Sequence, residues 1–336
     1  MELAPSATIE VDAANLSPYL AYSPDGKLLA VALKTSVTLL DAVSGAHIAA
    51  LTAKDLMMTQ DLTFAGGLLA LGYVKPPTWE NHVAGDVGGI MVWDVATQQE
   101  VAAITSPSEG LALEGMSAVA LSPDGRLVAG ARNASDGIGK VPVWDVRSGA
   151  HVKDVLVGAG EGTQTSSVRS VAFSPDGKIL AAGHGTALKG GVTLFDTSSW
   201  SQIAALPVEA ATAFGVIDLA FTPDGKSLIG ASRTISVWDV ASHKLTATIG
   251  TEADDYESLA MSPDGSFVAA PSGSSENGGI TLWALPSGKE IISVPTGRRH
   301  AADIALHPDG RTLATSTSDG KTYSTVQLWK IKQRTA

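Results

Sequence analysis

The chain has 336 residues, a formal net charge of −11 and no cysteine. The acidic balance argues against a nucleic-acid partner, which needs clustered Lys and Arg, and the missing thiols exclude disulfides, cysteine catalysis and Cys-ligated zinc. Apolar residues make up 44% of the chain, ample for a large core, yet no unbroken apolar run reaches the length of a membrane span.

The start, Met1-Glu2-Leu3-Ala4-Pro5-Ser6, lacks the basic-then-apolar order of a secretory signal. A soluble protein is expected, cytoplasmic, or periplasmic or secreted if a signal has been trimmed. Thr8-Ile9-Glu10-Val11 then alternates like a strand. After it comes the first Ser-Pro-Asp-Gly, at Ser23-Pro24-Asp25-Gly26. In such a turn Pro presets φ, Asp bonds back to the backbone, and Gly takes a positive φ without steric cost.

Pro-Asp-Gly recurs at Pro123, Pro175, Pro223, Pro263 and Pro308, and a shortened copy, Leu62 to Leu69, fills the gap after the first. The prolines from Pro123 onward are 52, 48, 40 and 45 residues apart. Val168 to Leu206 shows what lies between marks. Four apolar runs, VRSVAF, KILAAG, GVTLFD and SQIAAL, are each rich in strand-forming residues and bounded by turn residues. They predict a four-stranded antiparallel meander, strands a to d, and a period in the forties with four strands per unit is that of propeller blades.

A second mark ends strand c: Leu40-Asp41, Trp93-Asp94, Trp144-Asp145, Phe195-Asp196, Trp238-Asp239, Trp283-Ala284 and Trp329-Lys330. In these two marks, kept in one phase, the chain resembles the WD-repeat β-propeller family over essentially its whole length. The family's usual Gly-His pair before strand a does not occur here. The expected fold is all-β: a seven-bladed β-propeller of four-stranded antiparallel blades. The last repeat stops at strand c, so residues 1–14 are expected to close the ring by supplying the fourth strand of the last blade. A single domain is expected, with blades at 15–56, 57–106, 107–158, 159–208, 209–251, 252–296 and 297–336.

In such a blade the a–b and c–d turns share one face and the b–c and d–a loops the other. The first set is short and uniform, whereas the second includes Gly72 to Gly89, Thr105 to Gly115 and Gly158 to Ser166. Variation confined to one face marks the expected binding surface. Five of the seven Trp residues sit in strand c and Trp200 in a c–d turn, leaving Trp79 in a long loop stiffened by Pro76 and Pro77. Trp79 is the expected anchor for a partner, joined by Glu80, His82, Tyr73, Phe214, Tyr256, Arg298, Arg299 and Tyr323. The competing reading has Trp79 folded back onto its own blade.

The residue ahead of the apolar core of strand a is Tyr19, Asp61, Ala118, Ser170, Asp218, Ser258 or Asp303 in turn. Strand a lines a propeller's axis, so Asp61, Asp218 and Asp303, with His82, His184 and His300 from the long-loop face, are candidates for a central funnel. The competing reading has these carboxylates accepting neighbouring backbone amides. No nucleophile elbow, phosphate loop, dinucleotide fingerprint or zinc motif occurs, so no catalytic residue, metal or cofactor is assigned.

The expected function is a non-catalytic, monomeric scaffold binding a protein or peptide on the long-loop face. The alternative is an enzyme, or a small-ligand or metal-binding propeller, working through the funnel.

Overall fold

The Ser-Pro-Asp-Gly turns fold as their residue types dictate. In the turn after Phe173, the Ser174 hydroxyl donates to Asp176 Oδ1 at 2.7 Å and accepts the Ile179 amide at 2.9 Å. The Gly177 amide returns to the Ser174 carbonyl at 2.8 Å, with Gly177 at φ 70°. The same pattern holds Ser23 to Leu28 and Ser122 to Leu127, with Thr222 serving in the fifth blade.

The computed structural model describes residues 1–11, 18–33, 36–52, 58–74, 86–107, 116–132, 139–157, 167–185, 190–208, 215–251, 256–272, 278–296, 301–318 and 324–332. These hold strands only, in seven antiparallel sheets of four. The sheets are the blades of a seven-bladed β-propeller.

Blade one holds β2 (Tyr19–Tyr22), β3 (Leu28–Leu33), β4 (Ser36–Asp41) and β5 (His47–Thr52). Blade five holds β18 (Asp218–Phe221), β19 (Ser227–Ala231), β20 (Ile235–Asp239) and β21 (Lys244–Ile249). Blade six holds β22 (Ala260–Met261), β23 (Phe267–Ser272), β24 (Gly279–Ala284) and β25 (Lys289–Pro295). Blade seven holds β26 (Ala301–Leu306), β27 (Thr312–Ser318), β28 (Ser324–Lys332) and, as its fourth strand, β1 (Glu2–Val11). The β1 to β28 ladder runs antiparallel from Glu2↔Lys332 to Val11↔Ser324, which is the expected closure.

Blade two holds β6 (Met58–Ala65), β7 (Leu68–Val74), β8 (Asp86–Asp94) and β9 (Gln99–Pro107). Blade three holds β10 (Met116–Leu121), β11 (Leu127–Arg132), β12 (Gly139–Asp145) and β13 (His151–Val157). Blade four holds β14 (Ser167–Phe173), β15 (Ile179–Gly185), β16 (Gly190–Asp196) and β17 (Gln202–Pro207).

The chain groups into two compact units, one of Met1–Leu33, Val37–Leu51 and Ala220–Ala336, the other of Lys34–Ser36 and Thr52–Leu219. In the first, Leu3, Leu313, Trp329 and Ile331 of blade seven pack with Phe267, Ile280 and Leu282 of blade six. On the other side of blade seven, Val326 and Leu328 meet Leu20, Leu29 and Val31 of blade one. In the second unit Val141, Val143 and Val155 of blade three pack with Val168, Leu180 and Phe195 of blade four. Burying each of these side chains contributes roughly 1.5–3 kcal/mol, which is why alternate strand residues are apolar.

Two irregularities repeat. Opposite the strand c aromatic, register shifts at Val92/Trp93, Val143/Trp144, Leu194/Phe195, Val237/Trp238 and Leu282/Trp283 admit one extra residue. In the innermost strand, shifts at Thr59/Asp61, Met116/Ala118, Val168/Ser170 and Ala301/Asp303 do the same. Such bulges re-aim the side chain that follows.

Candidate functional site

The inner-strand bulges set the direction of Asp61 and Asp303. Asp61 accepts the Leu62 amide at 2.8 Å through Oδ1 and the Val119 amide of the next blade at 2.9 Å through Oδ2. Asp303 repeats the arrangement in the first unit. Its Oδ2 accepts the Leu20 amide at 2.6 Å, and its Oδ1 accepts the Ser258 hydroxyl at 2.6 Å and the Ile304 amide at 2.9 Å. One carboxylate thereby ties blades six, seven and one together. Ser170 makes the neutral version, donating to the Val216 carbonyl at 2.9 Å. Asp218 accepts the Leu219 amide at 2.7 Å.

The Asp303 residue keeps some exposure, but its carboxyl group is enclosed. Burial pushes its pKa up to about 6, and the donors on it pull the other way. The Asp61 and Asp303 carboxylates are directed at backbone and hydroxyl donors of their own and neighbouring blades and staple one blade to the next, whereas the Leu219 bond of Asp218 lies within its own strand.

His184 lies in β15 with its ring Nε2 3.2 Å from the Thr193 hydroxyl, and burial lowers its pKa. The ring lies beside Gly191, while the His184 backbone carbonyl lies against Gly190 and Gly215. Among the described residues, no group of three or more His, Cys, Asp or Glu is placed to hold a metal ion.

Two expected rim residues are core residues. Tyr73 is 3% exposed and Tyr256 fully buried, so neither ring is presented to a partner. Tyr73 lies at the end of a stretch of β7, Leu69 to Tyr73, that is buried throughout. Tyr256 stacks edge-on against Trp283 with centroids 5.6 Å apart, filling space left open because Gly250, at φ 81°, has no side chain. Trp79, Glu80, His82, Phe214, Arg298, Arg299, His300 and Tyr323 lie outside the described residues.

The strand c aspartates have a role that the repeat marks alone did not indicate. Asp41 accepts the amide and hydroxyl of Ser44 at 2.7 and 2.6 Å. Asp94 does so with Thr97, Asp145 with Ser148 and Asp239 with Ser242. Asp196 takes hydroxyls and amides from both Ser198 and Ser199, which hold its pKa down to about 2. The legible signal was Asp followed two or three residues later by Ser or Thr, a side-chain turn mimic.

Comparison with known proteins places this architecture. The family model described as WD domain, G-beta repeat matches residues 155–195 and 207–239. The first match runs from β13, the last strand of one blade, through strand c of the next, so the sequence repeat is offset from the blade by one strand. That offset is what makes β1 the partner of β28. The Antiviral protein SKI8 of Saccharomyces cerevisiae is 31% identical over 123 residues, 32% of this chain and 31% of that protein. A Protein LST8 homolog of Drosophila pseudoobscura pseudoobscura is 30% identical over 194 residues, 57% of this chain and 56% of that protein. Periodic tryptophan protein 2 of Arabidopsis thaliana is 24% identical over 246 residues, 72% of this chain and 25% of that protein. The aligned stretch spans only about a third of the SKI8 protein and a quarter of the Arabidopsis one.

Proposed function

We propose that this chain, a member of the WD-repeat β-propeller family, is a non-catalytic scaffold that binds a protein or peptide through its b–c and d–a loops. One observation carries the reading: the two sets of connections differ in kind. Every c–d turn of blades one to five is closed by a strand c aspartate, and the a–b turns of blades one, three, four and five by their own Ser or Thr and Asp. The b–c and d–a connections instead vary, from 34–35 and 232–234 to stretches such as 75–85, 108–115 and 158–166 between laddered strands. A rigid scaffold with variable loops at one set of strand ends is suited to recognition.

The net charge of −11 favours a partner that is not a nucleic acid. Relatives of this family typically act as scaffolds for protein assembly. In this reading Trp79 is the anchor, with Glu80, His82, Phe214, Arg298, Arg299 and Tyr323 contributing from neighbouring loops. The test is affinity capture with the wild type and Trp79→Ala side by side, followed by measurement of the captured partner's affinity for each.

A further inference from the structure

The a–b turn of most blades carries a cation two residues after its aspartate, and that cation is paired. Lys27 meets Asp25 at 3.2 Å, Lys178 meets Asp176 at 3.4 Å and Lys226 meets Asp224 at 3.4 Å. In blade three Arg126 reaches instead to the strand c aspartate, Asp145, at 3.5 Å.

Blades six and seven break this balance. In blade seven the turn cation is Arg311, but Asp309 is committed elsewhere. Its Oδ1 takes the Arg311 amide at 2.7 Å and the Thr312 amide at 3.0 Å, and lies 3.0 Å from His307 Nδ1. The strand c position that supplies Asp145 in blade three is Lys330 here, as the registers Leu127↔Asp145 and Thr312↔Lys330 show. Lys330 donates to the Thr312 hydroxyl at 2.8 Å. Lys332, two residues on, adds another cation. Among the described residues neither the Arg311 guanidinium nor the Lys332 ammonium has an ion-pair partner. Blade six has Ser266 at the turn cation's position and Ala284 at the strand c aspartate's. Asp264 is satisfied within its own turn, taking the Ser266 hydroxyl at 2.6 Å and its amide at 3.0 Å.

These residues surround a cleft. A cavity of about 540 Å³ lies between the two a–b turns, lined by Arg311 and Lys332 together with Asp264, Asp309, Phe267 and Ile331. All of its residues belong to the first unit. Two cations without an ion-pair partner lining one cleft form a site for a compact anion, because a guanidinium binds oxyanions through two parallel N–H bonds.

We propose that this cleft binds the oxyanion group, phosphate or carboxylate, of a small organic ligand, with Arg311 and Lys332 as its cationic contacts. The site lies at the a–b and c–d ends of the strands of blades six and seven and does not depend on the loops assigned to the protein partner. Asp264 and Asp309 stay charged and limit the affinity, so weak, saturable binding is expected.

The experiment is titration of the full chain with inorganic phosphate and, separately, with succinate, at constant ionic strength, followed by calorimetry or by amide chemical shifts. Four proteins are compared: the wild type, Arg311→Ala, Lys330→Asp and Lys178→Ala. Lys330→Asp restores to blade seven the carboxylate that pairs Arg126 in blade three. The wild type should saturate with at least one anion, and Arg311→Ala and Lys330→Asp should each weaken it about tenfold. Lys178→Ala, which removes an already paired cation, should leave it unchanged. Saturation by phosphate alone or by succinate alone supports the site and identifies its oxyanion. Binding that fails to saturate, survives both blade-seven changes, or falls equally in Lys178→Ala overturns it. Arg311 is exposed, so Arg311→Ala keeps the test decisive even if Lys330→Asp folds poorly.

Discussion

The Oδ2 atom of Asp303 accepts the backbone N–H of Leu20 at 2.6 Å, joining the last blade to the first across 283 positions of sequence. With the Ser258 hydroxyl on Oδ1, this carboxylate is shared by three blades of one unit. Asp303→Ala would strand the Leu20 amide and the Ser258 hydroxyl, and the expected loss is about 2–4 kcal/mol. Asp61→Ala, which frees the Val119 amide, should cost about 1–3 kcal/mol. Chemical denaturation of both variants checks this, and a loss below the level of an ordinary surface substitution at Asp303 would remove the staple from the account.

Asp303 also fixes a pH dependence. Its folded pKa is raised to about 6 from an ordinary 3.8, so between those values the folded state holds a proton that the unfolded state releases. That contribution is full below about pH 4 and is lost as pH rises through about 6, amounting to at most about 3 kcal/mol. The turn aspartates act in the opposite sense. Asp25 and Asp196, held down to about 2 by their serine partners, contribute stability above pH 4 that is lost as pH falls toward 2. In melting curves from pH 4 to 7 the wild type should therefore lose stability relative to Asp303→Asn as pH rises. Parallel curves would show that the carboxyl titrates as if in water.

The N-terminal strand is an integral part of blade seven. Its ladder with β28 runs from Glu2 to Val11, and Leu3 packs with Trp329 and Ile331. Removing residues 1–14 would expose β28 as an open edge and uncover that cluster, so a sharp fall in melting temperature and self-association are expected. The milder Leu3→Ala should cost about 2–3 kcal/mol. A truncated chain that melts with the wild type would refute the closure.

Most of this fold was legible because turns and strands repeat. Pro-Asp-Gly and the strand c mark gave the phase, and the alternation at Thr8 to Val11 gave the closing strand. The site was less legible because its decisive contacts are distant in sequence. An Asp at position 61 or 303 reads the same whether it faces a cation or an amide, and the amides it meets lie 58 and 283 residues away. Tyr73 was different in kind: it stands in the apolar run Leu68 to Val74, which is buried from Leu69 to Tyr73. Tyr256 gave no such signal, since the room for it is made by Gly250.

The c–d turns place one residue in the left-handed region. Gly45, Gly149 and Gly288 occupy it freely, whereas Gln98, Trp200 and His243 sit there at φ 57°, 58° and 60°. A side chain in this conformation costs about 1 kcal/mol or more. Gln98→Gly and His243→Gly should therefore stabilise by about 0.5–1 kcal/mol after the entropy of the added glycine is counted. Trp200→Gly should not, because Trp200 packs against the apolar cluster shared by blades three and four. Thermal melts of the three variants separate strain from packing, and destabilisation by all three would leave no role for strain.

The last expectation concerns Trp79, which follows Pro76 and Pro77 in the sequence between β7 and β8. A proline-stiffened loop loses little entropy on binding, and a large aromatic anchored there contributes most of its surface to the partner. Trp79→Ala should weaken the captured partner by about 1–3 kcal/mol while leaving the melting temperature within about a degree, because blade two is held by its own ladders and by Ile90, Val92 and Ile104 in the core. If Trp79 instead caps its own blade, the variant loses stability and keeps its affinity. Measuring both quantities on one sample separates an interface residue from a packing residue, and unchanged affinity removes Trp79 from the binding surface whatever the melt shows.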